Sequence, residues 1–186
     1  MIKKKLIFLD IDGVFNHHTW WDERESMGQD LQGDDWREVF EFDPKTVDIF
    51  NSIIRRTKAK IVVSSSWRKG DLQYLINLFN KVGIEGEVIG ETPKLRWLCD
   101  KPSAYIPRGV EIKDYLASVH GYPVYDWDIS GRVTDVETYV IIDDDSDMLL
   151  EQKDHFVQTS MREGLTIDHA NEVVRILNGK SEHYFR

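Results

Sequence analysis

Asp10 and Asp12, two acids one residue apart, stand in the stretch Leu6-Ile7-Phe8-Leu9-Asp10-Ile11-Asp12-Gly13-Val14, directly behind an unbroken apolar run. Such a run makes a short, fully buried strand, and its carboxyl end delivers both acids together. Glycine at 13 permits a sharp turn, so the two carboxylates can converge on one pocket. Like charges held that close repel unless a cation lies between them. A hard divalent ion with oxygen ligands, Mg²⁺, is the natural occupant. The competing interpretation is a strand followed by a polar turn with solvated aspartates.

Two later stretches weigh against that interpretation. Lys60-Ile61-Val62-Val63 is a second buried strand, and it runs into Ser64-Ser65-Ser66-Trp67-Arg68-Lys69. Small hydroxyls and free backbone N–H groups at a strand's carboxyl end suit a phosphate oxygen, and the Arg68 guanidinium adds a bidentate option. Tyr139-Val140-Ile141-Ile142 is a third buried run, followed by Asp143, Asp144, Asp145 and Asp147. Acids at that density repel one another strongly, and a cation is the economical explanation.

The elements that position these groups alternate. Asp43-Pro44 starts a helix with an N-cap acid and proline at the first position, and Val47, Phe50 and Ile54 follow at helical spacing. A second helix is expected from Asp71 to Val82, stopped by Gly83, then a weak strand over Glu87–Gly90. Another helix opens at Arg108-Gly109 and ends at His120-Gly121. A cation at a helix start opposes the helix dipole, which implies that Arg108 has another partner; Lys113, one turn on, is its substitute. A helix from Met148, a strand over His155–Thr159 and an amphipathic helix from Thr166 to Leu177 close the chain. Residues 16–42, with His17, His18, Trp20, Trp21 and Trp36, show neither a helical nor a strand period and are expected to form a flap or irregular hairpin beside the site. The stretch 91–107 reads as a crossing loop, 121–138 as a loop or edge hairpin around Trp127, and 180–186 as a loose tail.

Strands alternating with helices predict an α/β fold: an open parallel sheet with helices on both faces, a three-layer, Rossmann-like sandwich. In such folds ligands lie beyond the carboxyl ends of the strands, where the acids and serines collect. The 186 residues, 41% of them hydrophobic, suit one domain spanning 1–186 with a sizeable core. Lys+Arg 24 against Asp+Glu 33 gives a net charge of −9, which argues against broad nucleic-acid or membrane-surface binding while leaving room for a local basic patch. The lone Cys99 cannot form an internal disulfide, and the apolar run after Lys3-Lys4-Lys5 stops at Asp10, too short to secrete or anchor a chain. A cytoplasmic protein with no membrane contact and no obligate protein partner is expected.

Taken together these stretches resemble the haloacid dehalogenase (HAD) superfamily of phosphohydrolases. Asp10-Ile11-Asp12-Gly13-Val14 is similar to its first motif and Ser64, after Ile61-Val62-Val63, to its second; Arg108 or Lys113 fits the third and Asp143-Asp144 the acidic fourth. Ser65-Ser66-Trp67-Arg68, the helix start Arg108-Gly109-Val110-Glu111-Ile112 and Ile142-Asp143-Asp144-Asp145 are further similar to the HAD domains of Swiss Army Knife RNA repair proteins and to the phosphatase domains of polynucleotide kinase-phosphatases. The resemblance implies that Asp10 is a nucleophile forming an aspartyl-phosphate and Asp12 the general acid/base. It implies Ser64 and Arg108 as partners of the transferring phosphoryl group, with Ser65, Arg68 and Lys113 on the substrate. Mg²⁺ would be held by Asp10, the backbone carbonyl of Asp12 and Asp144, with Asp143 next and Asp147 an outside candidate. The intervals 16–42 and 68–108 are too short and aperiodic for a separate cap domain, so the site should be open. The implied substrate is a phosphorylated nucleic-acid end or another large phosphomonoester. A small-molecule 5′(3′)-nucleotidase and a non-catalytic, metal-holding binding module are the alternatives.

Overall fold

In the computed structural model, which describes residues 3–27, 41–68, 71–95, 105–119 and 135–179, the first apolar run is strand β1 (Lys4–Leu9). It lies at the centre of a parallel sheet with β2 (Lys60–Val63), β3 (Val88–Glu91), β4 (Val136–Asp143) and β5 (Phe156–Gln158) in the order β3-β2-β1-β4-β5. Leu9 is level with Val63 on one side and with Ile142 on the other. Asp10, Ser64 and Asp143 therefore leave the sheet at the same height.

Alternation along the strands divides the core. Ile7, Leu9, Ile61, Val63, Val140 and Ile142 face one layer, formed with helices α2 (Pro44–Thr57), α3 (Leu72–Val82) and α5 (Ile167–Asn178). Leu6, Phe8, Val62 and Ile141 face the other, against α4 (Arg108–Val119). There Phe8 meets Tyr115 and Tyr139 edge-on, with ring centroids 5.7 and 5.8 Å away. The chain winds outward from β1 to β3 and then crosses to β4 on the opposite side. The resulting switch point, between β1 and β4, opens a crevice where the acids lie.

The helix ends read from sequence are in place, and side chains cap them. Asp43 accepts from the Lys45 N–H and Asp71 from the Gln73 N–H, Gly83 ends α3 with φ +82°, and Thr166 caps α5. Two elements differ from expectation. His18–Ser26 is a helix, α1, rather than an irregular hairpin. It has no apolar face to betray it, and its first turn is instead held from outside. His17 caps it through Nδ1, and the His18 and Thr19 N–H groups donate to the carbonyls of Met161 and Arg162. Residues 146–149 are not helical, and only a 3₁₀ turn over Leu150–His155 follows, because Asp147 is committed to another helix. Residues 28–40 of the insertion, 96–104 of the crossing loop, Lys69, the Trp127 segment and the 180–186 tail lie outside the described residues. No helix among the described residues is long and apolar enough to cross a membrane.

Candidate functional site

At the tips of β1 and β4, one carboxylate oxygen each from Asp10, Asp143 and Asp144 lie within 4.8 Å of one another. The turn after β1 makes this possible. Val14 and Phe15 both donate back to the Ile11 carbonyl, and Gly13, at φ +65°, donates to the Asn16 carbonyl at 2.9 Å. A Cβ on Gly13 would overlap the Asp144 side chain, so only glycine permits both the turn and the approach.

The acids are electrostatically frustrated. Burial raises Asp10 above the ordinary carboxylate range, against the Ser65 hydroxyl, Arg108 and the Ile11 N–H, which favour its charge. Burial raises Asp143 too, reinforced by the charge of Asp10, and Asp144 is raised by its partial burial and by Asp145. Asp143 is 1% exposed and its Oδ2 has no hydrogen-bond partner; the Arg108 Nε lies 3.8 Å from it. Three hard oxygen donors, with an orphaned buried carboxylate oxygen among the same residues, fit a divalent cation such as Mg²⁺.

Around this group the sequence-derived residues separate into those that converge and those that do not. Ser64 and Ser65 are both buried, but their side chains part: Ser65 donates to Asp10, whereas the Ser64 Oγ accepts from Thr92 at 3.4 Å. Arg108 does have the partners its place at a helix start implied. It spans Asp143 and Glu111, the latter at 3.6 Å. Lys113 pairs instead with Glu151 at 2.9 Å. Asp147 stands apart from the acid group; its Oδ2 caps α4 by accepting from the Arg108 N–H at 2.7 Å and also takes the Tyr105 hydroxyl at 2.5 Å. The Asp12 side chain turns away from the three acids toward Asn16, Ser66 and Trp67. Neighbouring His17 is an α1 cap whose Nε2 lies 3.1 Å from Asp43 Oδ2, with both side chains buried.

Arg68 is a correction. Rather than reaching into the crevice it is 3% exposed, with Nε donating to the Ser65 carbonyl, Nη1 to the carbonyl and hydroxyl of Thr92, and Nη2 to Glu111 at 2.8 Å. It locks the serine turn to β3 and α4. Glu111, which stands in the Arg108 helix start with no role assigned to it from sequence, joins Arg68 to Arg108 and also accepts from the Leu95 N–H. Arg68→Ala should therefore destabilise the protein by about 3–5 kcal/mol, because it takes the nearer cation from a buried carboxylate and leaves the Ser65 and Thr92 carbonyls without their donor. A thermal melt should show a fall of roughly 10 °C. A raised KM with an unchanged melt would return Arg68 to the substrate.

Chemically, the crevice offers a buried carboxylate backed by a hydroxyl and a guanidinium, a cation-sized group of acids, and a second carboxylate beside it. That combination suits displacement at a phosphorus centre. A family model described as "HAD domain in Swiss Army Knife RNA repair proteins" matches residues 6–170. No curated protein and no solved structure matches the chain.

Proposed function

Because the chain belongs to the family of HAD domains in Swiss Army Knife RNA repair proteins, a phosphohydrolase family, we propose that it is a Mg²⁺-dependent phosphomonoesterase of a single domain, acting through an aspartyl-phosphate on a phosphorylated nucleic-acid end. The observation that carries the proposal is the group of Asp10, Asp143 and Asp144 at the switch point, with Ser65 and Arg108 against it.

Asp10, Asp143 and Asp144 would hold the ion, which when bound screens the phosphate charge against an anionic nucleophile. The Asp10 carboxylate attacks phosphorus in line, forming an O–P bond as the bond to the leaving oxygen breaks with its electron pair. Asp12 gives that oxygen a proton. It then takes one from the water that splits the acyl-phosphate, releasing inorganic phosphate and restoring Asp10. Arg108 and the Ser65 hydroxyl bear the charge that collects on the phosphoryl oxygens, while the buried Ser64 keeps the turn against Thr92.

The large substrate is supported by the short intervals 16–42 and 68–108 and by the family's association with RNA repair. Tyr105 supports it too: it is 73% exposed and its hydroxyl is fixed on Asp147, the cap of the Arg108 helix. A site that does not wrap a small ester draws little binding energy from its remote parts. A polymer end can lie across the rim. One stacked base contributes about 1–3 kcal/mol, so a phosphorylated oligonucleotide should be hydrolysed with roughly tenfold higher kcat/KM than the matching mononucleotide. Added salt should shrink the advantage where basic side chains contribute, and EDTA should stop both reactions. A mononucleotide preference would promote the nucleotidase; binding without turnover of any ester would promote the metal-holding module.

A further inference from the structure

We infer that Trp67, with Asn16 and Ser66, fixes which oxygen of Asp12 handles the proton, making Trp67 a positioning residue for leaving-group protonation; this rests on the proposed role of Asp12 as general acid/base. Asp12 is half-buried at the mouth of the turn. Its Oδ1 accepts from the Asn16 amide at 2.8 Å and from the Trp67 indole N–H at 2.9 Å, and its Oδ2 accepts from the Ser66 hydroxyl at 3.2 Å.

These donors are not equivalent. An indole N–H and an amide NH₂ can only donate, so a proton on Oδ1 would face two donors and have no acceptor. Oδ1 is therefore the anchored atom. A serine hydroxyl can donate to a charged Oδ2 and turn its lone pairs to a protonated one, so Oδ2 keeps a partner in both states and takes up and gives up a proton without a donor clash. Oδ2–H then passes its proton to the leaving alkoxide as the P–O bond breaks, and the same oxygen recovers a proton from the attacking water. Two fixed bonds on Oδ1 hold the carboxylate plane while this happens.

The clamp is built from rigid parts. Trp67 is half-buried and packs edge-on against Phe42, with ring centroids 5.9 Å apart. Its backbone N–H donates to the Ser65 Oγ at 3.2 Å, the same serine that donates to Asp10. The Asn16 side chain also accepts from the Gly13 N–H at 3.2 Å, which ties it to the turn that carries Asp12. One short segment, Ser65-Ser66-Trp67, thus reaches both Asp10 and Asp12 through side chains.

Trp67→Phe removes the N–H and keeps an aromatic ring against Phe42. With Mg²⁺ and a series of aryl phosphates of graded leaving-group pKa, extended to an alkyl phosphate, the variant should lose about tenfold in kcat on the alkyl ester. It should lose little on p-nitrophenyl phosphate, whose leaving group needs scant protonation, so the plot of log kcat against leaving-group pKa steepens while KM and the melting temperature hold. Ser66→Ala, on an exposed turn, should steepen the same plot, and Ser66→Thr should restore it. A parallel loss on every ester, or no loss, overturns the inference. If Trp67→Phe fails to fold, the serine pair decides alone, and a Ser66→Ala plot parallel to wild type overturns it. Asp12→Asn separates the two levels. A steepened plot for Asp12→Asn with an unsteepened one for Trp67→Phe removes only the clamp, whereas no steepening for Asp12→Asn removes Asp12 as the acid.

Discussion

Asp10→Asn is expected to abolish phosphate release, by about 10³-fold or more, while leaving the fold intact. An amide oxygen is a far weaker nucleophile than a carboxylate, and no neighbouring acid can replace it at the tip of β1. Asp143 is drawn into the acid group and is buried, Asp144 is pressed against Gly13, and Asp12 is held by Asn16, Ser66 and Trp67. The fold should survive because Asn keeps an oxygen for the Ile11 N–H, which now donates to Asp10 Oδ1 at 2.8 Å. The substitution also removes a charge that burial disfavours. Circular dichroism and a melt establish the fold, and phosphate release with a good leaving group measures the chemistry. Turnover at roughly a tenth of the wild-type rate would mean that the covalent route is wrong.

How much of this was legible depends on where each constraint lives. The strands were readable because β1, β2 and β4 are buried on both faces and therefore appear as unbroken apolar runs. Their polar tips were readable for the same reason, since a run that stops at Asp10 or Asp143 must place that acid at the sheet's edge. The start of α2 was legible because Asp43 and Pro44 are local signals. Helix α1 was not, because contacts with Met161 and Arg162, far along the chain, hold its first turn. Arg68 is the sharpest case. A guanidinium behind three serines has phosphate chemistry written in its neighbourhood, but Glu111, 43 residues away, claims it. Asp147 likewise belongs to the next acid-rich motif by sequence and to the α4 N-terminus by contact, 39 residues away. Which of Ser64 and Ser65 turns toward Asp10 depends on how the chain leaves β2, which side-chain alternation cannot give once the strand has ended.

Asp143→Asn should do two opposite things, raising the stability of metal-free protein at alkaline pH and removing its response to Mg²⁺. Asp143 is buried and raised first by that burial and then by Asp10, so in the native state it holds its proton to higher pH than in the unfolded chain. Across the window from the ordinary carboxylate range, about pH 4, up through the raised value, native protein binds more protons than unfolded protein. Stability contributed by this group therefore falls as pH rises. Asn carries no titrating proton, keeps an oxygen for the Asp145 N–H that donates to Oδ1 at 3.0 Å, and puts an amide nitrogen where Oδ2 has no partner. In EDTA the two proteins should melt together below about pH 4, while at pH 8 the variant should melt at least roughly 2–4 °C higher, the effect of about 1 kcal/mol in a domain of this size. Adding Mg²⁺ at pH 8 should reverse the order. An ion at a hundred times its Kd stabilises the wild type by about 2.7 kcal/mol, and the variant has lost an anionic oxygen from a group of three. The wild-type-minus-variant difference cancels the other titrating groups, so its dependence on pH and metal belongs to this position. A difference that is the same at both pH values, with or without Mg²⁺, would mean that the Asp143 charge is neither a liability of the free site nor a ligand of the filled one.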